Sequence, residues 1–167
     1  MASPYSALAI ANEFIERGIA TGRPVDPMKV QKLVYFSHGW HLGLFDGPLI
    51  DEQIEAWPYG PVVASVYHEF KRYGRSGIDE PAIDLERGRI RTPGIDPDDD
   101  RTAALLARVW QTYGKFNGMQ LSTMSHEPGS PWDVTYNNRP PGVVRGIDIP
   151  NELLRQHFAE LAKQKRA

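Results

Sequence analysis

The segment Pro27 to Leu44, "PMKVQKLVYFSHGWHLGL", constrains this chain more than any other. Asp26 followed by Pro27 is a helix-start signal, a capping carboxylate and then a residue pre-set for the first turn. Val30, Leu33, Val34, Tyr35, Phe36, Trp40, Leu42 and Leu44 then cover most of the helical circumference. A helix that is apolar nearly all round belongs in an interior, so this one is expected to be buried and central. The 167 residues suffice for one domain with a real core.

The rest of the chain reads as mostly helical. Ser3 and Pro4 signal a start, with Ala7, Ile10, Ala11, Phe14 and Ile15 at helical spacing behind them and Gly18 to Gly22 closing the element. Asp46-Gly47-Pro48 is a turn. Gln53 to Trp57 suggests a short strand limited by Pro58. Pro61 is expected to open a third helix with Val62, Val63, Val66, Tyr67, Phe70 and Tyr73 on one stripe, stopped at Gly74. Residues 75 to 97 carry Gly, Pro and charge, with a strand suggested at Arg89 to Arg91. "DPDDD" at 96 to 100 reads as a helix start, because carboxylates there satisfy free amides and the dipole. Leu105, Leu106, Val109, Trp110 and Tyr113 continue that helix. Further helices are expected near Met119 to Glu127, from Ser130-Pro131, and from Pro150, with a strand piece suggested by Val143 and Val144. The expected fold is mainly α, a compact domain of about six or seven helices with a small β element near residues 53 to 58.

Composition removes several classes of function. A net charge of -2 gives no dominant footprint for nucleic acid or membrane. The absence of cysteine removes disulfides, thiol catalysis and thiolate metal sites. The N-terminal residues lack a signal-peptide pattern and no run is long enough to span a bilayer, so a cytoplasmic location is expected.

Three constellations invite chemistry. His38 and His41, three apart on the central helix, could share a zinc or iron with His68, His126 or a carboxylate as third ligand; packing or surface histidines are the alternative. His126 with Ser122, Ser125 and Glu127 could form a nucleophile-base pair, yet the spacing matches no nucleophile elbow. Lys71, Arg72 and Arg75, with Arg87, Arg89 and Arg91, form two basic clusters. In an extended 87 to 91 the arginines would share a face and line a phosphate stripe. Asp79, Glu80, Asp84 and Glu86 in the same region favour a solvated, charge-mixed loop instead. No glycine-rich phosphate loop is present.

The densest stretch is "EAWPYGPVVASVYHEFKRYG", residues 55 to 74. Trp57, Tyr59, Tyr67, Phe70 and Tyr73 are more large aromatics than one short helix easily hides, and Tyr and Trp are enriched at protein interfaces. Tyr59 and Tyr67 are the ones expected to reach solvent.

These residues also carry a resemblance. Gln31-Lys32-Leu33 with Tyr35, then Glu55-Ala56-Trp57, then Tyr59-Gly60-Pro61 with Val62, Tyr67 and Phe70, occur in the order and spacing of the Panacea domain family. Leu121-Ser122, His126, Pro131-Trp132 and Ile149-Pro150 with Phe158 complete the pattern. The chain thus resembles the SocA-like, phage-associated antitoxins over about residues 5 to 160. One departure is Ser125, where a threonine more often precedes the histidine.

The resemblance implies one antitoxin domain over residues 5 to 162, followed by a basic tail at 163 to 167. It implies a protein that is not an enzyme, needs no cofactor, and neutralises a cognate toxin from an adjacent gene by direct contact. An adaptor role, delivering the toxin to a AAA+ protease, is the other mechanism it allows. Nucleic acid and membrane are not expected partners, nor is a separate DNA-binding domain of the kind some members carry. Together the aromatic excess and the motif nominate Trp57, Tyr59, Gly60, Pro61, Tyr67, His68, Phe70, Lys71, His126 and Trp132 as toxin-binding or motif positions.

Overall fold

A computed structural model describes residues 4–166. Its axis is helix α2, Pro27–Phe45, in which every residue from Val30 to Leu42 is buried. Asp26 caps it, its carboxylate accepting from the Lys29 amide, and Asp46 ends it in the left-handed conformation. Around α2 lie α1 (Ala7–Ala20), α3 (Ala64–Phe70), α4 (Asp100–Tyr113), α5 (Gly118–Ser125) and α7 (Asn151–Arg166); α6 (Pro131–Asn137) packs beside α7. With seven α-helices among the described residues, the mainly α expectation holds.

The β element is larger than expected. β1 (Ile54–Trp57) is the central strand of a three-stranded antiparallel sheet, flanked by β2 (Gly60–Val62) and β5 (Ile147–Ile149). Two more strands, β3 (Asp84–Glu86) and β4 (Arg89–Arg91), form a separate ribbon.

Three expected boundaries move, each for a local reason. Ser3 lies outside the described residues, and the cap of α1 is Ser6, whose hydroxyl accepts from the Ala9 amide. Tyr5 cannot join the helix because its amide donates to the Leu49 carbonyl and its carbonyl accepts from Asp51. Pro61 does not open α3. It sits in β2 opposite Ala56, and an edge strand is where a sheet tolerates proline. Val143 and Val144 are not in a strand; the pairing begins at Ile147, whose partner is Ala56.

The packing of α2 against α7 depends on two glycines. A Cβ on Gly39 would lie 2.1 Å from the Phe158 ring, and one on Gly43 would lie 2.7 Å from the Phe158 carbonyl carbon. Phe158 sits edge-on to Tyr35 and Trp40, with ring centroids 5.9 and 5.2 Å away. Trp40 donates its indole N–H to the Tyr113 hydroxyl at 2.8 Å, and Tyr113 stacks on Phe36 at 4.2 Å. Buried polar groups brace the turns. Asn12 exchanges hydrogen bonds with Ala82 and donates to the Pro93 carbonyl.

In an open helix Gly43→Ala would stabilise by about 1 kcal/mol. Here the new methyl meets the backbone of α7, which cannot turn aside. The expected outcome is a loss of about 1–3 kcal/mol, read as a lower urea midpoint with unchanged slope. Gly47→Ala, with open space around it, should stay within about 0.5 kcal/mol of the parent. A higher midpoint for Gly43→Ala would contradict this packing.

Candidate functional site

The hairpin from β1 to β2 turns at Pro58 and Tyr59, and side chains from three helices seize its backbone. Trp132 of α6 donates its indole N–H to the Trp57 carbonyl at 2.6 Å. Ser122 of α5 donates to the Tyr59 carbonyl at 2.9 Å. Lys32 of α2 donates to the Pro61 carbonyl at 3.0 Å. Gln31, also of α2, exchanges two 3.0 Å hydrogen bonds with the Val63 amide and carbonyl. The His126 ring completes the set, with Nε2 3.4 Å from the Pro58 carbonyl and Nδ1 against the Ser122 carbonyl. Backbone polar groups at 57, 59, 61 and 63 are therefore met by side chains rather than by a third strand, which leaves β2 an edge that is nonetheless satisfied.

Gly60 is the point of closest approach. Its φ is +116°, and a Cβ there would lie 3.0 Å from Lys32 Nζ, Ser125 Oγ and His126 Cε1. Both the conformation and the space require glycine. Around this centre Trp132 stacks on Tyr136 with centroids 4.8 Å apart, the His126 ring lies tilted against its other side at 4.0 Å, and Arg139 covers Tyr136 at 3.8 Å. Trp57 meets Tyr67 edge-on at 4.8 Å and lies under the Arg145 guanidinium at 4.6 Å.

Lys32 is fully buried without a carboxylate partner. Burial lowers its amine to about 7, because the charged form loses its water.

The side chain at the tip behaves differently. Tyr59 is 73 % exposed. Beside it opens a groove of about 280 Å³ walled by Met28, Trp57, Tyr67 and Lys71, with Gln31 and Lys32 at its floor. His68 and Lys71 are exposed, and Tyr67 and His126 are half-buried. Trp57, Gly60, Pro61, Phe70 and Trp132 are buried. The nominated residues thus divide: Trp57, Tyr59, Gly60, Pro61, His126 and Trp132 belong to the hairpin and its surround, Tyr67 of α3 packs on Trp57, Phe70 is core, and His68 and Lys71 lie on the α3 surface and its 3-10 extension.

The other constellations resolve as supports. His38 accepts from the Leu49 and Ile50 amides at Nδ1 and pairs through Nε2 with Asn151 at 2.9 Å. Burial pushes it down to about 4. His41 donates from Nδ1 to the Gly47 carbonyl. Among the described residues no three His, Asp or Glu gather around either ring to hold a metal ion. The hydroxyl of Ser122 is engaged by the Tyr59 carbonyl, so it belongs to the clasp with His126. The arginine stripe forms in part. Arg89 and Arg91 share a face of β4, opposite Glu86 and Asp84 across the ribbon, while Arg87 takes a left-handed turn conformation outside the strand.

Sequence reasoning nominated His126 and Trp132 of the clasp as site residues, but not Gln31, Lys32 or Ser122. Gln31 and Lys32 are polar residues inside an otherwise apolar helix, and that was the available signal. Arg145 sits in a turn-rich connection with no periodicity to mark it.

A family described as antitoxin SocA-like, Panacea domain, matches residues 30–133, which span Gln31, Lys32, the hairpin, Ser122, His126 and Trp132. The chain belongs to the SocA-like Panacea family. It is 33% identical over 154 residues to the antitoxin SocA of Caulobacter vibrioides (strain NA1000 / CB15N), covering 91% of this chain and 81% of that one. No solved structure matches. The matched segment therefore contains the hairpin and the side chains that clasp it. No helix among the described residues is long and apolar enough to cross a membrane.

Lys32 gives this Panacea clasp a pH signature. Its folded-state proton affinity lies below that of the unfolded chain, so between about pH 7 and the ordinary value of 10.5 the unfolded state holds more protons. Stability then rises with pH across that window, and the full penalty of the buried charge is felt below it. Relative to Lys32→Met, the parent should gain up to about 1.4 kcal/mol per pH unit between pH 7 and 10. Urea titrations of both proteins at pH 6 to 10 measure this. Parallel stability profiles would contradict a buried, uncompensated amine.

Proposed function

We propose that this chain is an antitoxin that binds a cognate protein toxin directly and meets it with the Tyr59 hairpin and the groove beside it. The observation that carries the reading is a loop whose carbonyls are tied down by four side chains while its one large tip residue is exposed. Such a loop loses little further freedom on binding. Exposed Tyr beside a buried-aromatic groove is the composition of a binding hot spot. Membership of the SocA-like family supports the antitoxin role, and the Caulobacter relative carries that name.

On this reading the protein acts in the cytoplasm, by contact rather than catalysis. Its partner is encoded by the neighbouring gene. Neutralisation proceeds either by occluding the toxin or by delivering it to a AAA+ protease. Occlusion requires a stable stoichiometric complex, whereas delivery makes toxin lifetime depend on the protease.

Co-expression with the neighbouring gene's product tests this. The parent should rescue growth, and Tyr59→Ala should weaken toxin binding by roughly 2 kcal/mol, about thirtyfold, with unchanged folding. A product that is harmless alone, or equal rescue and affinity with Tyr59→Ala, would overturn the proposal.

A further inference from the structure

A second groove opens on the opposite stretch of α2. Its volume is about 400 Å³, and α2, α4 and α7 all contribute to it. Trp40, Leu105, Val109 and Tyr113 form an apolar floor. Leu44 lies at the margin, 41 % exposed on a helix that is otherwise covered. Arg108 and Lys165 line the same groove, the Lys165 ammonium resting 4.9 Å from the Trp40 ring. No carboxylate lines it, and neither cation joins a salt bridge among the described residues. Trp40 is eight residues beyond Lys32 on α2, about 12 Å along the axis, so this surface is separate from the hairpin.

The combination selects its occupant by charge. An apolar slot takes one large side chain out of water. Two cations without a carboxylate partner among the described residues favour carboxylates flanking that side chain, and they disfavour a basic segment by like-charge repulsion. The Arg108 guanidinium and the Lys165 ammonium are both exposed on helical stems and so stay charged.

We infer that the α2–α4–α7 groove is a docking site for an acidic peptide segment of a partner protein, with one leucine or phenylalanine side chain seated between Arg108 and Lys165. The apolar residue enters over Trp40 and Val109, and acidic residues on either side reach the two cations.

Fluorescence anisotropy with two labelled peptides, Asp-Asp-Leu-Phe-Asp-Asp and Lys-Lys-Leu-Phe-Lys-Lys, tests the inference on the full chain. The acidic peptide should bind at micromolar concentrations, more weakly as salt rises, and the basic one should not. Arg108→Glu with Lys165→Glu should weaken the acidic peptide about tenfold or more, and Leu44→Ser should weaken it by a smaller factor. Both variants change exposed side chains, and circular dichroism checks their fold. Tyr59→Ala should leave the peptide affinity unchanged. No binding, equal binding of both peptides, or an affinity indifferent to the charge reversal would overturn the inference. So would binding to vesicles of anionic lipid that outcompetes the peptide, or sedimentation showing that a second copy of the chain fills the groove.

Discussion

A helix with no face for water dictates the architecture. From Val30 to Leu42 every residue of α2 is buried, so each side of it has to be covered by something. The chain supplies that cover with five other helices and one strand of a small sheet. Where cover must come very close, the sequence gives up side chains: Gly39 and Gly43 let Phe158 and the α7 backbone approach. Where cover is itself polar, the sequence inserts polar groups into the helix. Gln31, Lys32 and His38 are the price of laying backbone, rather than side chains, against α2.

That second case links fold to function. Hairpin backbone beside an apolar helix would leave carbonyls dry and unpaired, at a cost of about 1–3 kcal/mol each. Lys32 and Gln31 answer two of them from below, while α5 and α6 answer two from the side. The result is a loop held by its backbone, which frees its tip side chain from any structural duty. Tyr59 carries the one large side chain of the turn, and the clasp holds only its carbonyl.

Much of this was legible beforehand. The burial of α2 followed from apolar residues on all faces, and the starts at Asp26, Asp99 and Ser130 followed from capping chemistry. Pro61 misled, because Gly-Pro before an apolar run suits both a helix start and an edge strand, and only the pairing with Ala56 decides. The ribbon of β3 and β4 was half seen, since Asp84 to Glu86 lacks a hydrophobic alternation that stands out from its loop. The site was legible as a list of motif residues and illegible as an arrangement. Ser122 and Trp132 lie more than sixty residues from the carbonyls they hold, and no local pattern encodes such contacts.

The account stands on the hairpin tip meeting the toxin. Replacing Tyr59 with a photo-crosslinking amino acid, in the complex with the neighbouring gene's product, tests that most directly. The same replacement at Leu85, equally exposed on the ribbon, serves as the comparison. A crosslink to the toxin from position 59 and none from position 85 is the predicted result. A crosslink from position 85 with none from position 59 would contradict it.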